Sequence, residues 1–422
     1  MPSYRTITTA FLTIWLISTA TVWAAGEQPL MIEQLVEVAL EVNPQVRAAK
    51  ARWNSALHAI KQNYVPADPI YSFSNVDSPR GIGDAGLQSL NVTQALQFPG
   101  KALLQGDVAK RTAEIARLTY EAMLRDIRAQ TETTYYQYLL DSALADATAE
   151  HVEDLRRVLN VSQTAYSTNR IAQADVINAQ FDYSAAEQQE AQFRVNAATD
   201  KAQLNQLLYR RPDEPLTVER KIDLKPIGVP VDSLIASAEV LRQEILEAAH
   251  SERNGETALK LARMEYLPDF TFGYTFDHYL MPSFAPTPSH TQDHTLQVGF
   301  NVPIFFWWKQ NEDVTKAGFD LEAAQSDARS IKRQTESVVT AFYLQERLAT
   351  KTAILYRDYL IPLARRGFEV ALIAYQGGKI GFVDISTTQQ RVYDSQVAYL
   401  QAANQSLAQR VALEQTIGAA LP

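Results

Sequence analysis

The residues best equipped for chemistry fall in one stretch that holds His278, His290, Asp293 and His294. His290 and His294, four residues apart with a carboxylate beside them, have a spacing that suits zinc or copper. Pro282, Pro286 and Pro288 lie among them, so the segment reads as a loop rather than a helix presenting both rings on one face. Solvated loop histidines are the reading that follows, and no metal is assigned. A second candidate, Gly81-Ile-Gly83-Asp-Ala-Gly86, has the glycine spacing of a dinucleotide-binding turn. That fingerprint needs a buried strand before it and a helix opening after it. Here Ser78-Pro79-Arg80 precedes it and a strand-like segment follows, so it reads as a loop. The six histidines are otherwise scattered, and neither a Ser/His/Asp arrangement nor HExxH spacing is present. No catalytic residue and no cofactor is expected, and the chain does not read as an enzyme. The absence of cysteine excludes disulfides, thiolate metal sites and lipidation through an N-terminal cysteine. A net charge of −9 without a basic stripe argues against nucleic acid as a partner.

The elements that position these residues are laid out twice. Pro66 and Pro268 each open a strand-like segment. Tyr166, Ile171, Asp175 and Gln180 recur as Tyr375, Ile380, Asp384 and Gln389 at a constant shift. With 46% hydrophobic and 21% charged residues the chain is an ordered protein. Such duplication points to an assembly part rather than a one-pocket enzyme. The expected organisation is a signal peptide over 1–24, a first repeat over 25–210, a Pro-rich connection over 211–232 and a second repeat over 233–422. The signal is read from Arg5, the apolar run Phe11-Leu-Thr-Ile-Trp-Leu-Ile17 and the small residues near Ala24.

Each repeat contains two strands of period-two pattern, expected near 70–76, 88–98, 269–278 and 294–304. Phe270, Phe272, Tyr274 and Phe276 alternate with Thr271, Gly273 and Thr275. Leu296, Val298, Phe300 and Val302 alternate with Thr295, Gln297, Gly299 and Asn301. The first copy repeats this more weakly through Tyr71, Phe73, Leu90 and Val92. An aromatic face opposite a Thr/Gly/Asn/Gln face suits strands between lipid and a water-filled lumen. In lipid a sheet must close on itself, and the smallest common barrels take ~8 strands. Four strands per chain therefore call for several copies.

From Pro99-Gly100 to about Tyr166 the chain has no proline and little glycine, which predicts a helix of roughly 100 Å at ~1.5 Å per residue. In the second copy Ala341, Leu348 and Leu355 recur every seventh residue, a coiled-coil period. Pro362 would start or kink the helix that follows. Two tips interrupt the helices, Ser167-Thr-Asn-Arg170 and Gln376-Gly-Gly-Lys379. Gly377 and Gly378 suit a positive φ, and Asn169 is the next best residue for it.

These residues resemble the TolC-like outer-membrane factors. The resemblance rests on the duplicated layout, on Leu96-Gln-Phe-Pro-Gly-Lys101 with Pro303-Ile-Phe-Phe-Trp-Trp-Lys309, and on Ile361-Pro-Leu, Tyr375-Gln-Gly-Gly-Lys379 and Asp384. It implies a mainly α fold with a transmembrane β part, in which a homotrimer closes a 12-stranded barrel above an α-helical tunnel. It implies an exit duct of a tripartite efflux pump that passes metal cations or drugs, with the heavy-metal RND subgroup the finer placement. The implied partners are outer-membrane lipid, a periplasmic adaptor and an inner-membrane transporter of the RND class. The implied location is the outer membrane of a Gram-negative bacterium, with a periplasmic helical extension. Asn169, Arg170, Ile171, Gly377, Gly378, Lys379 and Ile380 take the place of the adaptor-docking tips, and Asp175 and Asp384 that of the periplasmic entrance gate. Asn169 stands where the family usually has glycine. Both aspartates also suit the first turn of a helix through its dipole. A type I secretion duct, a periplasmic adaptor and a structural coiled-coil protein remain alternatives at this point.

Overall fold

The computed structural model describes residues 29–76, 86–220, 224–280 and 292–421. The expected signal peptide, most of the glycine-rich turn and His290 lie outside the described residues. The first copy runs α1 (Ile32–Val42), α2 (Pro44–Tyr64), β1 (Ile70–Val76), β2 (Gly86–Leu96), α3 (Lys101–Ser167) and α4 (Gln173–Leu207). The second runs α5 (Val231–Leu241), α6 (Gln243–Met264), β3 (Phe270–Leu280), β4 (Gln292–Phe300), α7 (Gln310–Leu355), α8 (Ile361–Gln376) and α9 (Phe382–Ile417), with a π-helical turn, Tyr356–Leu360, between α7 and α8. β4 ends at Phe300, so Val302, expected within that strand, lies beyond it.

Local chemistry sets the junctions. Asn43 ends α1 in extended backbone and its side chain accepts from the Gln45 N–H (2.8 Å), with Pro44 opening α2 where no backbone donor is needed. Arg242 occupies the equivalent joint between α5 and α6. At this same offset Leu35 and Ala39 match Leu234 and Ala238, all buried.

The 67 residues of α3 form one uninterrupted helix, about 100 Å long at ~1.5 Å per residue. Its buried positions Ile127, Thr131, Tyr135, Ser142 and Ala145 correspond to Thr335, Val339, Tyr343, Thr350 and Ala353 of α7, each pair 208 residues apart. Nearer the tip Leu155, Leu159 and Ser162 correspond to Ala364, Phe368 and Ala371, now 209 apart. The one extra residue enters between Ala353 and Ala364, where the π turn lies. A π turn takes up a single inserted residue while the faces on either side stay in phase. It also accommodates Pro362, which lacks the N–H that would bond the Asp358 carbonyl. Pro362 thus follows a π turn instead of breaking the helix.

The heptad seam expected from Ala341, Leu348 and Leu355 is not the one buried within the chain. Leu348 and Leu355 are 68% and 51% exposed, whereas Val339, Tyr343, Glu346, Thr350 and Ala353 face α9 and its neighbours. Both stripes share the 3.5-residue period, and the one buried within the chain is not the one with the larger aliphatic side chains. Small residues such as Ala353, Ala402 and Ala403 line the real contact and let α7 and α9 approach closely.

The four strands form one antiparallel sheet in the order β1-β2-β3-β4. Helices pair as α3 with α4, α7 with α9, and α3 with α9, so the two hairpins lie side by side. One apolar core joins α1, α3 and α4 through Leu35, Tyr135, Leu139 and Leu204. Its counterpart joins α5, α7 and α9 through Leu234, Val339, Tyr343 and Leu413.

Candidate functional site

The register of the sheet sorts its side chains into rows. Ser72, Asn91, Thr275 and Thr295 form one polar row, and Ser74, Ser89, Asp277 and Asp293 another. Asn91 Nδ2 donates to Thr275 Oγ1 across the strands (2.7 Å). On the opposite face Tyr71, Val92, Tyr274 and Leu296 share a row. Many of the apolar side chains are bare, with Tyr71 70%, Leu296 84% and Val298 70% exposed. A soluble sheet would cover such a face, since burying it is worth about 25 cal/mol per Å². Bare aromatic and aliphatic rows opposite Ser, Thr and Asn are the arrangement of a strand between lipid and water. The segment after β4 extends this surface with Phe305, Phe306, Trp307 and Trp308, all exposed. Phe306 and Trp307 meet edge-on at 4.9 Å between ring centres.

His294, at the junction of the expected loop and the expected strand from 294, lies in β4 on the apolar face, where Tyr274 Oη and His294 Nδ1 are 2.7 Å apart. His278 lies in β3 opposite Gln292. Among the described residues no three carboxylate or imidazole groups converge on a metal position.

A buried cation ties the sheet to the helices. Lys101, only 2% exposed, donates from Nζ to Asp269 Oδ1 (2.9 Å), the Leu267 carbonyl (3.0 Å) and Glu265 Oε2 (3.3 Å). Asp269 Oδ1 also accepts the Phe98 N–H (2.8 Å), and the Asp269 carbonyl accepts the Asn301 N–H (3.1 Å). One lysine and one aspartate thereby hold the lower ends of β2, β3 and β4 on α3. Gly100, at φ +102°, makes the turn that brings Lys101 inward. Nothing local in the sequence marks this lysine, because its partners lie more than 160 residues away.

The tips are two copies of one turn. In the first, the Asn169 N–H bonds the Tyr166 carbonyl (2.8 Å) and the Arg170 N–H bonds that of Ala165 (2.9 Å). In the second, Gly378 bonds Tyr375 (2.9 Å) and Lys379 bonds Ala374 (2.9 Å). This is the Schellman pattern of helix ends, which needs a left-handed residue at its centre. Asn169 (φ +54°) and Gly378 (φ +68°) supply it. Gly377 does not, since at φ −79° it belongs to the helical region. Asn169 thus takes the backbone conformation that glycine takes in the other tip.

The tips are locked together. Tyr375 and Ser162 hydroxyls lie 2.9 Å apart, and Val158, Ala179, Phe368, Phe382 and Ile385 form a shared core against which Ile380 packs. Asn169, Arg170, Gly377, Gly378 and Lys379 are exposed, and Ile171 is half-buried. Asp175 and Asp384 each lie in the first turn of a helix. Asp384 is exposed and accepts the Gly381 N–H (3.2 Å), whereas Asp175 is half-buried near Tyr375, whose pKa is raised chiefly by burial and to a smaller extent by the Asp175 charge. They are therefore not equivalent.

Further up, His151 is a packing histidine. It stacks on Tyr393 at 4.1 Å between ring centres and accepts from Gln389. Burial pushes its pKa down to about 4, so it is neutral near pH 7. It borders a cavity of about 580 Å³ among α3, α4 and α9 that Asp182, Gln189 and Asp394 also line.

Residues 234–419 match the family model for outer membrane efflux protein. The chain is 19% identical over 396 residues to the cobalt-zinc-cadmium resistance protein CzcC of Cupriavidus metallidurans, spanning 94% of this chain and 91% of that one. It is 22% identical over 405 residues to outer membrane protein TolC of Escherichia coli, spanning 91% and 81%. The crystal structure of the outer membrane protein VceC from Vibrio cholerae superposes with a TM-score of 0.78 at 16% identity, covering 93% of this chain and 97% of that one. The second half thus carries the match to the outer membrane efflux family model, and the chain as a whole is similar in sequence to CzcC and TolC and in fold to VceC, over most of the length of each.

Proposed function

We propose that this protein is the outer-membrane exit duct of a tripartite efflux pump, conducting solute passively from the periplasmic side to the outside. The observation that carries the reading is the open four-stranded sheet with one bare apolar face and one polar face, standing on helices of about 100 Å. An open sheet edge in lipid costs several kcal/mol per unpaired backbone group, so β1 must meet β4 of a neighbour. Three copies of this sheet make a barrel of about 12 strands. A second surface supports the homotrimer. Leu344, Leu348, Leu355, Leu363, Val370 and Ile373 run along α7 and α8, each more than half exposed, and a second copy is the partner that would bury them. Phe305 to Trp308 would sit at the periplasmic boundary of the lipid, where amphipathic rings are favoured.

In this reading residues 1–24 are removed on export, 25–210 and 233–422 are the two repeats, and 211–232 joins them. The exposed tips around Asn169–Ile171 and Gly377–Ile380 dock a periplasmic adaptor. Asp175 and Asp384 line the entrance and favour cations over anions. The inner-membrane transporter is of the RND class and the cargo is metal cations, which the name of the CzcC relative favours over drugs. Conductance of the purified protein in planar bilayers tests the duct. Replacing Asp175 and Asp384 together by alanine should weaken cation preference at low salt. Absence of channels in the wild type would overturn the function, and unchanged selectivity in the variant would remove the two aspartates from the entrance.

A further inference from the structure

Asp141 on α3 and Asp200 on α4 are 7% and 8% exposed, and their carboxyls lie within hydrogen-bonding reach of each other where the two helices pack. Gln137 donates to Asp141 Oδ2 (3.2 Å) and in turn accepts from Asn404 of α9 (3.5 Å). Asp200 Oδ2 is buried and has no donor among the described residues. The amide of Asn205, one turn away, is committed to the carbonyls of Pro212 and Glu214. The charged groups on the surrounding elements are Glu33, Glu37 and Glu41 on α1, Asp146 on α3 with its partner Arg220, Lys201 on α4, and Arg410 with Glu414 on α9. None of these forms an ion pair with either carboxylate. Two desolvated carboxylates in contact, with no ion pair to either from these groups among the described residues, do not both ionise, and a proton between them supplies the donor that Asp200 lacks.

We propose that Asp141 and Asp200 share one proton, and that this proton is a pH-sensitive lock holding α3 against α4. Burial first, and Asp141 second, push the Asp200 pKa up to about 7, against ~3.9 for an ordinary aspartate. The folded chain therefore keeps a proton that the unfolded chain releases. The stabilisation is complete below about pH 4, declines as pH rises, and levels off above about pH 7. The second copy has no such lock, since Ala349 and Gln409 occupy the equivalent places at offsets of 208 and 209 residues.

The test compares the full-length protein in detergent with its Asp200→Asn variant from about pH 4.5 to about pH 7.5. The variant should gain thermal stability over the wild type as pH rises, with the gap constant above about pH 7. In the wild type, hydrogen exchange over 138–145 and 197–204, corrected for intrinsic rates, should accelerate by up to tenfold per pH unit, and Asp200→Asn should abolish that slope. Infrared difference spectra of the wild type should show a protonated carboxyl band near pH 6 that is missing from Asp200→Asn and Asp141→Asn, which keeps the test open even if a variant folds poorly. A gap independent of pH, or no carboxyl band, overturns the proposal. So does stabilisation of the wild type, but not the variant, by magnesium or zinc alone, which would mark a cation site.

Discussion

Replacing Lys101 with methionine should loosen the joint between sheet and helices without unfolding the hairpins. The ammonium is 2% exposed and makes three charge-assisted contacts, while Asp269 and Glu265 are 34% and 41% exposed. Breaking a fully buried pair costs 3–5 kcal/mol, and bonds to charged groups are worth ~1.5–3 kcal/mol each. Water reaches both carboxylates, so the Glu265 contact is discounted and the net lies near the lower bound, about 3 kcal/mol. Asp269 keeps the Phe98 N–H, which limits the damage. At about 1.4 kcal/mol per factor of ten, the amides of Phe98 and Asn301 should exchange roughly 100-fold faster in the variant. Hydrogen exchange resolved by mass spectrometry reads this directly, and the helical tips serve as internal control. Acceleration below about threefold at the joint, or equal acceleration at the tips, would refute the reasoning that this lysine is the local clamp.

Tyr209 (φ +56°) and Gly418 (φ +84°) end α4 and α9 at equivalent places, and only one of them is glycine. Relieving the left-handed strain by Tyr209→Gly should stabilise by about 1 kcal/mol and raise the melting temperature, its side chain being 73% exposed. The converse, Gly418→Ala, should destabilise by about 2 kcal/mol or more, because its new Cβ would lie 2.8 Å from the Leu241 carbonyl oxygen. At the tips, Asn169→Gly should leave proteolysis of the turn unchanged or slower. Gly378→Val should speed it by about tenfold, since a β-branched residue resists positive φ. His151, whose pKa falls to about 4 against an ordinary ~6.5, should confer stability that is complete above about pH 6.5. That stability, about 3 kcal/mol, should be lost as pH falls to 4, and thermal melts of His151→Gln should not show this loss.

Much of the architecture was readable because its signals are local. Alternation of Phe270, Phe272, Tyr274 and Phe276 with threonine and glycine needs only period two. The unbroken α3 needs only a long run without proline. Legibility failed where two answers share one local pattern. Both the Leu348 stripe and the Val339 stripe on α7 repeat every seven residues, and only packing against α9 shows which is inside. Gly377 and Gly378 are equally permissive, yet the Schellman bonds to Tyr375 and Ala374 place the left-handed residue at Gly378 alone. The local pattern starts the fourth strand at His294, because Asp293 and the prolines before it are turn formers, whereas pairing with β3 draws Gln292 and Asp293 into it as well.

By itself the sequence determined the duplication, the strand and helix periods, and the turn chemistry of the tips, since each depends on residues within a few positions of one another. Only the tertiary structure decided that Lys101 meets Asp269, that Asp141 meets Asp200, and that one inserted residue becomes a π turn before Pro362. Those outcomes depend on the axial register of helices roughly 50–100 Å long. That register is set by the sum of many distant contacts, and no short stretch of chain carries it.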